Sequence, residues 1–281
     1  MKHFSLQDIK PFQFMSETKV ECNRIHYRKY RPCANLHSFI SCYWTMISEV
    51  KLEKPILHRV IPDGCIDIII DLSENSYKGT SSIVGTMTKP IFAELKDCVN
   101  LIAVRFKPGG YLHFFDIPAY NLTDKIVPYE MISPENSHNL IERLILEKHI
   151  DSKIKLLQNY LENLLIINDK NDSTVKNALN NILEREGNIS ISELSENVNI
   201  SQRQLCRKFE NWIGVSPKGF CRIIRFQTII HMLKNQSECN LLSTALNSGY
   251  YDQSHFIHEF CSLYGLTPLE YLKNRKNSSY V

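Results

Sequence analysis

The last third of the chain repeats one pattern of apolar and polar positions. When residues 200–220 are placed over residues 251–271, large apolar residues and turn-forming residues coincide at one constant shift. Such internal similarity predicts a single supersecondary unit that is used twice. The matched pairs are Leu205 with Phe256, Phe209 with Phe260, Trp212 with Leu263, Gly214 with Gly265, Pro217 with Pro268 and Phe220 with Tyr271.

Two helices joined by a tight turn account for each unit. Ser190 with Glu193, and Ser201 with Gln204, have the spacing of capping boxes and predict two helix starts. Asn199 lies between them, where a left-handed residue would end the first helix. This arrangement is a helix-turn-helix, whose second helix, the recognition helix, enters the major groove of DNA.

The second unit has the corresponding signals, with a turn that is one residue longer. A helix through Leu242 and Ala245 is predicted to end at Gly249, and Asp252 is predicted to cap the recognition helix. The chain therefore contains two predicted recognition helices.

The polar side of each recognition helix carries residue types that contact base edges. Arg and Gln make bidentate contacts to guanine and adenine, and Ile can meet a thymine methyl group. An ordinary solvated helix face is the alternative for any single one of these residues. The predicted base contacts are Gln202, Arg203, Cys206 and Arg207 in the first unit and Gln253, Ser254, Ile257 and His258 in the second.

Local charge supports the nucleic-acid interpretation. Six basic residues lie between positions 203 and 225, and Glu210 is the only acidic residue among them. Such a cluster is suited to neutralising DNA phosphates. We expect phosphate contacts from Ser201, Lys218 and Arg222.

A linking helix is predicted between the two units. Ser216 and Pro217 have the order of an N-cap and a first helical residue, and a helix to Lys234 would be about 27 Å long. With the width of the flanking units, it could separate the recognition helices by about one turn of DNA, roughly 34 Å. One polypeptide could then contact two successive major grooves.

Residues 244–273 resemble the C-terminal half of the DNA-binding domain of the AraC/XylS family of bacterial transcription regulators. The resemblance implies two helix-turn-helix units on a linking helix and no catalysis. Ser195 and Ile229 depart from it, because the family usually has alanine at both positions. The residues that carry the resemblance are Ala245, Gly249, Tyr250, Ser254, Phe256, Phe260, Gly265, Pro268 and Tyr271.

The first half of the chain has the period of β-strands. In the stretch IPDGCIDIIIDL, Ile66, Ile68 and Ile70 alternate with other residues after a turn at residues 62–64. Several further short strand-like runs follow, and the last ends at the breaker Pro108-Gly-Gly. This spacing predicts an antiparallel β-rich barrel-like or sandwich domain, and an α+β chain as a whole.

The segments VIPDGCIDIII and AVRFKPGGYLHFFDIPAYNLTDKIVP resemble an N-terminal domain found in a subset of the same regulators. By analogy with the arabinose-responsive members, the resemblance implies a sensory barrel. We predict that Trp44, Asp63, Asp67 and Arg105 line its ligand pocket. The alternative is that Asp63 caps a turn, Arg105 forms a structural ion pair and Trp44 fills the core.

From Ser133 onward the period changes to that of helices. One helix is predicted to begin there, with Leu140, Ile141, Leu144 and Ile145 facing inward. A second, from Asp151 to about Ile167, carries an apolar stripe that would suit either a homodimer contact or packing on its own domain. Ser173 is predicted to cap the next helix. The predicted domains are a β-rich domain at 1–134, a helical connector at 135–170 and a DNA-binding domain at 171–281.

Composition limits the classes of protein that fit this sequence. The 281 residues include 33 basic and 30 acidic ones, so the basic character is local. Without an apolar run of membrane length or a signal peptide, we expect a cytoplasmic protein without membrane contact. The nine cysteines form no C-x-x-C pair and are expected to be small apolar fillers.

No metal or cofactor is expected. The histidines of the first half are single, without the His-x-His cluster of a metal-binding cupin. His255, His258 and Glu259 have chelating helical spacing, but the repeat already explains each position.

These observations predict a DNA-binding transcription regulator without enzymatic activity, controlled by a small molecule or partner at its N-terminal domain. Double-stranded DNA is the expected partner, with RNA polymerase and a second copy as further candidates. Both activation and repression fit. One alternative is a DNA-binding enzyme, for which a reactive thiol among Cys33, Cys42, Cys65 and Cys98 would be evidence. The other is a module that acts through protein partners.

Overall fold

A computed structural model describes residues 25–73, 80–167, 171–235 and 249–277. The helix predicted through Leu242 and Ala245 lies outside these ranges. None of the described helices is long and apolar enough to cross a lipid bilayer. The strands are β1 (Ile25–Tyr30), β2 (Ile40–Ser48), β3 (Ile56–Val60), β4 (Ile66–Asp71), β5 (Thr80–Val84), β6 (Ile91–Leu95), β7 (Asn100–Phe106) and β8 (Ile126–Pro128).

The strands form two antiparallel sheets, as the sequence predicts. One has six strands in the order β1-β2-β7-β4-β5-β8, and the other is the β3–β6 ribbon. In β4, Ile66, Ile68 and Ile70 point into the main core, while Asp67 points to the opposite face and is buried as well. The strand is covered on both sides, because the ribbon stands over the second face.

Helices α1 (Pro134–Leu146) and α2 (Ile150–Ile167) cover the first face of the large sheet. The α2 stripe of Ile154, Leu157 and Leu161 is buried in this core, so it is not available for the dimer contact that its spacing also suggested. The inward prediction for Ile145 is wrong, because its side chain is 47% exposed. One residue corresponds to about 100° around a helix. Ile145 therefore lies beyond the edge of the buried stripe that ends at Leu144.

The C-terminal half is helical. A first core joins Leu194, Leu205 and Phe209, and a second joins Phe256 and Phe260 with neighbouring residues. The two-unit organisation of this half follows the predicted repeat. The helices are α3 (Ser173–Glu184), α4 (Ile191–Asn197), α5 (Gln202–Ile213), α6 (Pro217–Asn235), α7 (Gln253–Tyr264) and α8 (Pro268–Asn277).

The predicted caps are mostly present. Ser201 and Gln204 form a complete capping box at α5, and the Asp252 carboxylate caps α7 by accepting from the His255 N–H. Asn199 has the left-handed φ of 55° that its position required. One cap differs: α3 begins at Ser173, but Asp172 is its N-cap and accepts from two backbone N–H groups. A carboxylate is an equally favoured cap that also suits the helix dipole.

Candidate nucleic-acid interface and ligand cavity

Helix α5 presents a polar side to solvent near its N-terminal end. Gln202, Arg203 and Arg207 are exposed, whereas Cys206 is half-buried. Leu205 faces the opposite way into the core, as the amphipathic spacing requires. The predicted base-contacting residues of this helix therefore share one accessible side.

Helix α7 repeats the arrangement in the second unit. Gln253, Ser254 and His258 are exposed, and Phe256 is buried. Ile257 is half-buried because part of its side chain packs against the second core. Its apolar character is therefore explained in part by packing.

The linking helix α6 begins as predicted. The Ser216 hydroxyl accepts from the Gly219 N–H at 3.1 Å, and Pro217 is the first helical residue. The 19 residues of this helix give a rod about 28 Å long. Helix α6 follows α5 directly in the chain and packs against α7 through the ion pair of Arg222 with Glu259.

Half of the basic cluster is paired with carboxylates within the fold, and two of its arginines share one carboxylate. Lys208 pairs with Asp172, and Arg222 donates from Nε to Glu259 Oε1 at 2.6 Å. The Arg225 guanidinium lies 3.7 Å from the second oxygen of Glu259. Residues 203–225 alone could not reveal these ion pairs, because Asp172 and Glu259 lie outside that range. Of the predicted phosphate contacts, Lys218 is exposed, Ser201 is engaged in the capping box and Arg222 is held in the ion pair.

Glu259 joins the linking helix to the second recognition helix. Its side chain is only 8% exposed, and it lies between Arg222 and Arg225 of α6. Arg222 Nη2 also donates to Ser262 Oγ at 3.2 Å, one helical turn along α7. Within the described ranges, no three His, Cys, Asp or Glu side chains are grouped closely enough to hold a metal ion. The contacts of Glu259 therefore connect α7 with α6.

The far end of α5 packs against the β-domain. Thr86 Oγ1 donates to the Ile213 carbonyl at 2.5 Å, and Thr123 Oγ1 donates to the Gly214 carbonyl at 2.6 Å. The His113 ring lies 5.1 Å from the Trp212 ring. One end of this helix is therefore anchored to the β-domain while the other end presents its polar side.

The second unit packs against the β3–β6 ribbon. The Arg59 guanidinium lies 4.5 Å from the Tyr264 ring centroid and 5.2 Å from that of Phe92. Ile61, just after β3, belongs to the core of the second unit. Gln227 of α6 also donates to the Pro62 carbonyl at 2.6 Å. Both helix-turn-helix units therefore contact the β-domain.

A cavity of about 540 Å³ lies between the large sheet and the ribbon. Trp44, Asp67 and Arg105 line it, whereas Asp63 does not. Asp63 Oδ1 accepts from the Cys65 N–H at 2.9 Å, so this residue caps its turn. The other oxygen lies 3.4 Å from Arg105 Nη1, behind the cavity wall.

The floor of this cavity is a buried ion-pair network. Arg105 donates to Asp67 from Nε at 3.0 Å and from Nη2 at 2.9 Å, and the Trp44 indole donates to the same carboxylate at 2.9 Å. The two aspartates raise the pKa of the Arg105 guanidinium against the opposing effect of burial. The guanidinium is therefore permanently charged.

His58 is a cavity residue that the sequence interpretation missed. It lies on the inner side of β3 with 9% exposure, and its Nδ1 has no hydrogen-bond partner in the described part of the chain. Burial, with a contribution from Arg105, lowers the pKa of His58 to about 4. The imidazole is thus neutral near pH 7. The one sequence signal for an inward His58 was the alternation of side-chain direction along a strand, because the next residue, Arg59, is polar and suits the opposite face.

Three of the four cysteines named for the enzyme alternative are poorly suited to act as nucleophiles, and the fourth, Cys98, is exposed. Burial raises the pKa of the Cys33, Cys42 and Cys65 thiols. A thiolate is the reactive form, so a raised pKa opposes reactivity.

Two family models match the chain. Residues 28–128 match a domain of unknown function (DUF6597), and residues 194–274 match a model described as a helix-turn-helix domain. The second model covers most of the two units described above.

Two curated relatives are similar over the C-terminal region. An uncharacterized HTH-type transcriptional regulator of Haemophilus influenzae is 35% identical over 104 residues, which is 37% of this chain and 35% of the relative. The HTH-type transcriptional regulator MtrA of Neisseria gonorrhoeae is 32% identical over 84 residues, or 30% of this chain and 28% of the relative. The chain thus spans about a third of the length of these relatives.

Solved structures of ToxT from Vibrio cholerae are similar over most of the chain. One covers 83% of this chain and 98% of that protein, with 12% identity and a TM-score of 0.43. A structure of ToxT with a bound unsaturated fatty acid covers 82% of this chain and 94% of that protein, with 13% identity and a TM-score of 0.35.

Proposed function

We propose that this chain, which carries an AraC-type helix-turn-helix domain behind a β-domain, is a sequence-specific DNA-binding transcription regulator controlled at that β-domain. The observation that carries the proposal is the pair of exposed polar sides on α5 and α7, joined by one linking helix. The two relatives with similar C-terminal regions are named as transcriptional regulators.

The exposure of each residue indicates whether it is proposed as a base contact or as a phosphate contact. Arg203 and Arg207, with Gln202 and Gln253, are the proposed base contacts, because Arg and Gln form the bidentate pairs. Lys218 is the strongest proposed phosphate contact, since it is exposed. Ser201 is engaged in the capping box and Arg222 in the ion pair with Glu259. Only their remaining hydrogen-bonding groups could contact a phosphate.

The proposed partners are double-stranded DNA, a small-molecule effector in the cavity, and RNA polymerase at a promoter. A second copy of the chain would have to use a surface other than the α2 stripe, which is buried. A non-enzymatic role is proposed, because the two curated relatives are named as transcriptional regulators.

The β3–β6 ribbon offers a direct route from effector to DNA-binding domain. His58 and Ala93 face each other across the ribbon and line the cavity. The next pair along, Arg59 and Phe92, lies on the other side, where Arg59 stacks on Tyr264. Because successive strand residues point to opposite faces, a shift of the ribbon moves both surfaces together. Occupancy of the cavity would therefore reposition the second unit.

A single substitution tests the DNA-binding proposal. Arg207→Ala should weaken binding to the operator, identified first by genome-wide mapping, by about 1–3 kcal/mol if the side chain contacts a base. Affinity should be measured against the operator and against variants with single base changes, because a lost base contact also relaxes specificity at its position. Arg28→Ala, an exposed position on β1, is the control and should leave affinity unchanged.

A different outcome would reassign Arg207. Equal weakening on all sequences, with a salt slope reduced by about 1, identifies a phosphate contact. Retention of full affinity and specificity by Arg207→Ala would count against α5 as a recognition helix.

A second substitution tests the ribbon contact. Arg59→Ala removes a cation–π contact worth about 1 kcal/mol, so amide hydrogen exchange in α7 should become several-fold faster without DNA. Leu57→Ala is the control, because Leu57 lies on the same strand but is exposed. Unchanged exchange in α7 after Arg59→Ala would show that the ribbon does not hold the second unit.

A further inference from the structure

His58 brings a hydrogen-bonding group to the cavity that the fold leaves unused. Its side chain lines the cavity from β3 and is only 9% exposed. Within the described residues, Nδ1 of this imidazole has no hydrogen-bond partner. The residue opposite it across the ribbon is Ala93, whose methyl group can neither donate nor accept. A buried polar atom without a partner costs free energy, unless a molecule that enters the cavity bonds to it.

The buried charged side chains that line the cavity, Asp67 and Arg105, are bonded to each other. Asp67 Oδ1 accepts from Arg105 Nε at 3.0 Å and from the Trp44 indole at 2.9 Å, and Oδ2 accepts from Arg105 Nη2 at 2.9 Å. An ionic ligand could pair with either residue only by displacing one of these contacts. His58 is neutral near pH 7, since burial lowers its pKa to about 4. A charged group would therefore lose its hydration beside these residues without gaining a new partner.

The walls of the cavity are apolar and aromatic. Met46, Ile69 and Leu101 line the large-sheet side, and the Tyr27 and Trp44 rings meet there at a centroid distance of 5.8 Å. Such walls favour a ring system, because aromatic contacts add to the free energy of apolar burial. The volume of about 540 Å³ is within the range of drug-sized ligand sites.

We propose that the cavity binds an uncharged, ring-bearing alcohol or phenol whose hydroxyl group hydrogen-bonds to the His58 imidazole. A hydroxyl group both donates and accepts, so it suits either neutral tautomer of His58. The ring system of the ligand packs against Tyr27 and Trp44. The inference rests on the proposed function only in assigning the ligand the role of effector.

Four naphthalenes that differ in one group test the ligand class. At pH 7, 2-naphthol carries a hydroxyl group, naphthalene no polar group, 2-naphthoate a negative charge and 2-naphthylmethylammonium a positive charge. Equilibrium dialysis of the full chain should show saturable 1:1 binding of 2-naphthol, about fivefold tighter than naphthalene, because one net hydrogen bond is gained. Both ions should bind about tenfold more weakly than 2-naphthol. Equal affinities of 2-naphthol and naphthalene, or tighter binding of either ion, would overturn the proposal.

Variants of His58 test the proposed hydrogen bond. His58→Phe keeps a ring and removes both nitrogens, so 2-naphthol affinity should fall about fivefold while naphthalene affinity stays unchanged. Retained naphthalene binding also shows that the variant is folded. His58→Gln keeps a donor and an acceptor and should keep the preference for 2-naphthol. An undiminished preference for 2-naphthol in His58→Phe would contradict the assignment.

A second position locates the binding in this cavity. Ala93→Trp fills the cavity from the ribbon and should abolish binding of both 2-naphthol and naphthalene. His37→Phe removes an exposed histidine before β2 and is the control that should change neither affinity. Binding of 2-naphthol that survives both Ala93→Trp and His58→Phe lies outside the cavity and refutes the inference.

Operator binding separates this inference from the proposed function. Binding of 2-naphthol in the cavity with a change in operator affinity supports both. Cavity binding without any change in operator affinity supports the ligand class and counts against an effector role. A chain that binds no specific DNA refutes the proposed function and leaves the ligand result as it stands.

Discussion

Replacing Arg105 with methionine should lower the free energy of unfolding by about 3–5 kcal/mol, because removal of one partner leaves a buried charge uncompensated. Here two carboxylates, Asp63 and Asp67, would lose the guanidinium that lies 3.4 and 2.9 Å from them. The Trp44 indole would remain as a donor to Asp67 but cannot supply charge. Urea unfolding should show a lower midpoint with an unchanged slope.

A control substitution shows whether the loss of stability comes from the buried position of Arg105 or from the removal of any arginine. Arg28→Met removes an exposed arginine from β1, and its effect should stay within about 0.5 kcal/mol. The double variant Arg105→Met with Asp67→Asn should recover part of the lost stability, since it removes one of the uncompensated carboxylates. An Arg105→Met variant as stable as the parent chain would show that this buried network does not contribute to stability.

Replacing Glu259 with alanine should give the largest loss at the DNA-binding surface. We expect about 3 kcal/mol of destabilisation, because Arg222 and Arg225 would lose a carboxylate that is only 8% exposed. Operator affinity should fall about tenfold or more as α7 loses its fixed orientation on α6. The measurements are urea unfolding and operator titration at several salt concentrations.

The sign of the affinity change identifies the mechanism. Glu259→Ala makes the surface more positive, so a purely electrostatic effect would strengthen DNA binding. Weaker binding therefore indicates that Glu259 aligns the helices. Glu210→Ala adds the same charge from an exposed position on α5 and is the control for this comparison. Tighter operator binding by both variants would contradict the alignment role.

Local signals made the repeated units predictable. The Ser201 box, the left-handed Asn199 and the glycine at 214 depend on neighbours within a few residues, and the structure has all three. The burial of Leu205 and Phe209 follows equally from helical spacing. Where the local rule allowed two caps, at the start of α3, the sequence interpretation chose Ser173 and the structure uses Asp172.

Contacts between distant segments could not be predicted in the same way. The basic cluster has only Glu210 within its sequence window, yet Asp172 and Glu259 supply the neutralising charges from outside it. The α2 stripe fitted two surfaces equally well, and only the fold shows which one it covers. Nothing local indicated that Arg59 would stack on Tyr264.

The cavity was predictable in part. Trp44, Asp67 and Arg105 were recognisable as unusual polar or aromatic residues inside strand patterns, and all three line it. Asp63 has the same residue type but belongs to a turn, so its capping role decided its position. His58 appeared unremarkable as a single histidine, since its neighbours on the opposite wall are contributed by another sheet.

Under the proposed function, substitutions on the two faces of the β3–β6 ribbon should have different phenotypes. Substitutions at His58 or Ala93 would alter which inducer is recognised, while those one residue away, at Arg59 or Phe92, would leave the target gene fixed in one expression state. Substitutions at successive positions of β3 and β6 would therefore fall alternately into two phenotypic classes. A saturation screen of β3 and β6 would reveal the strand period as a pattern of alleles.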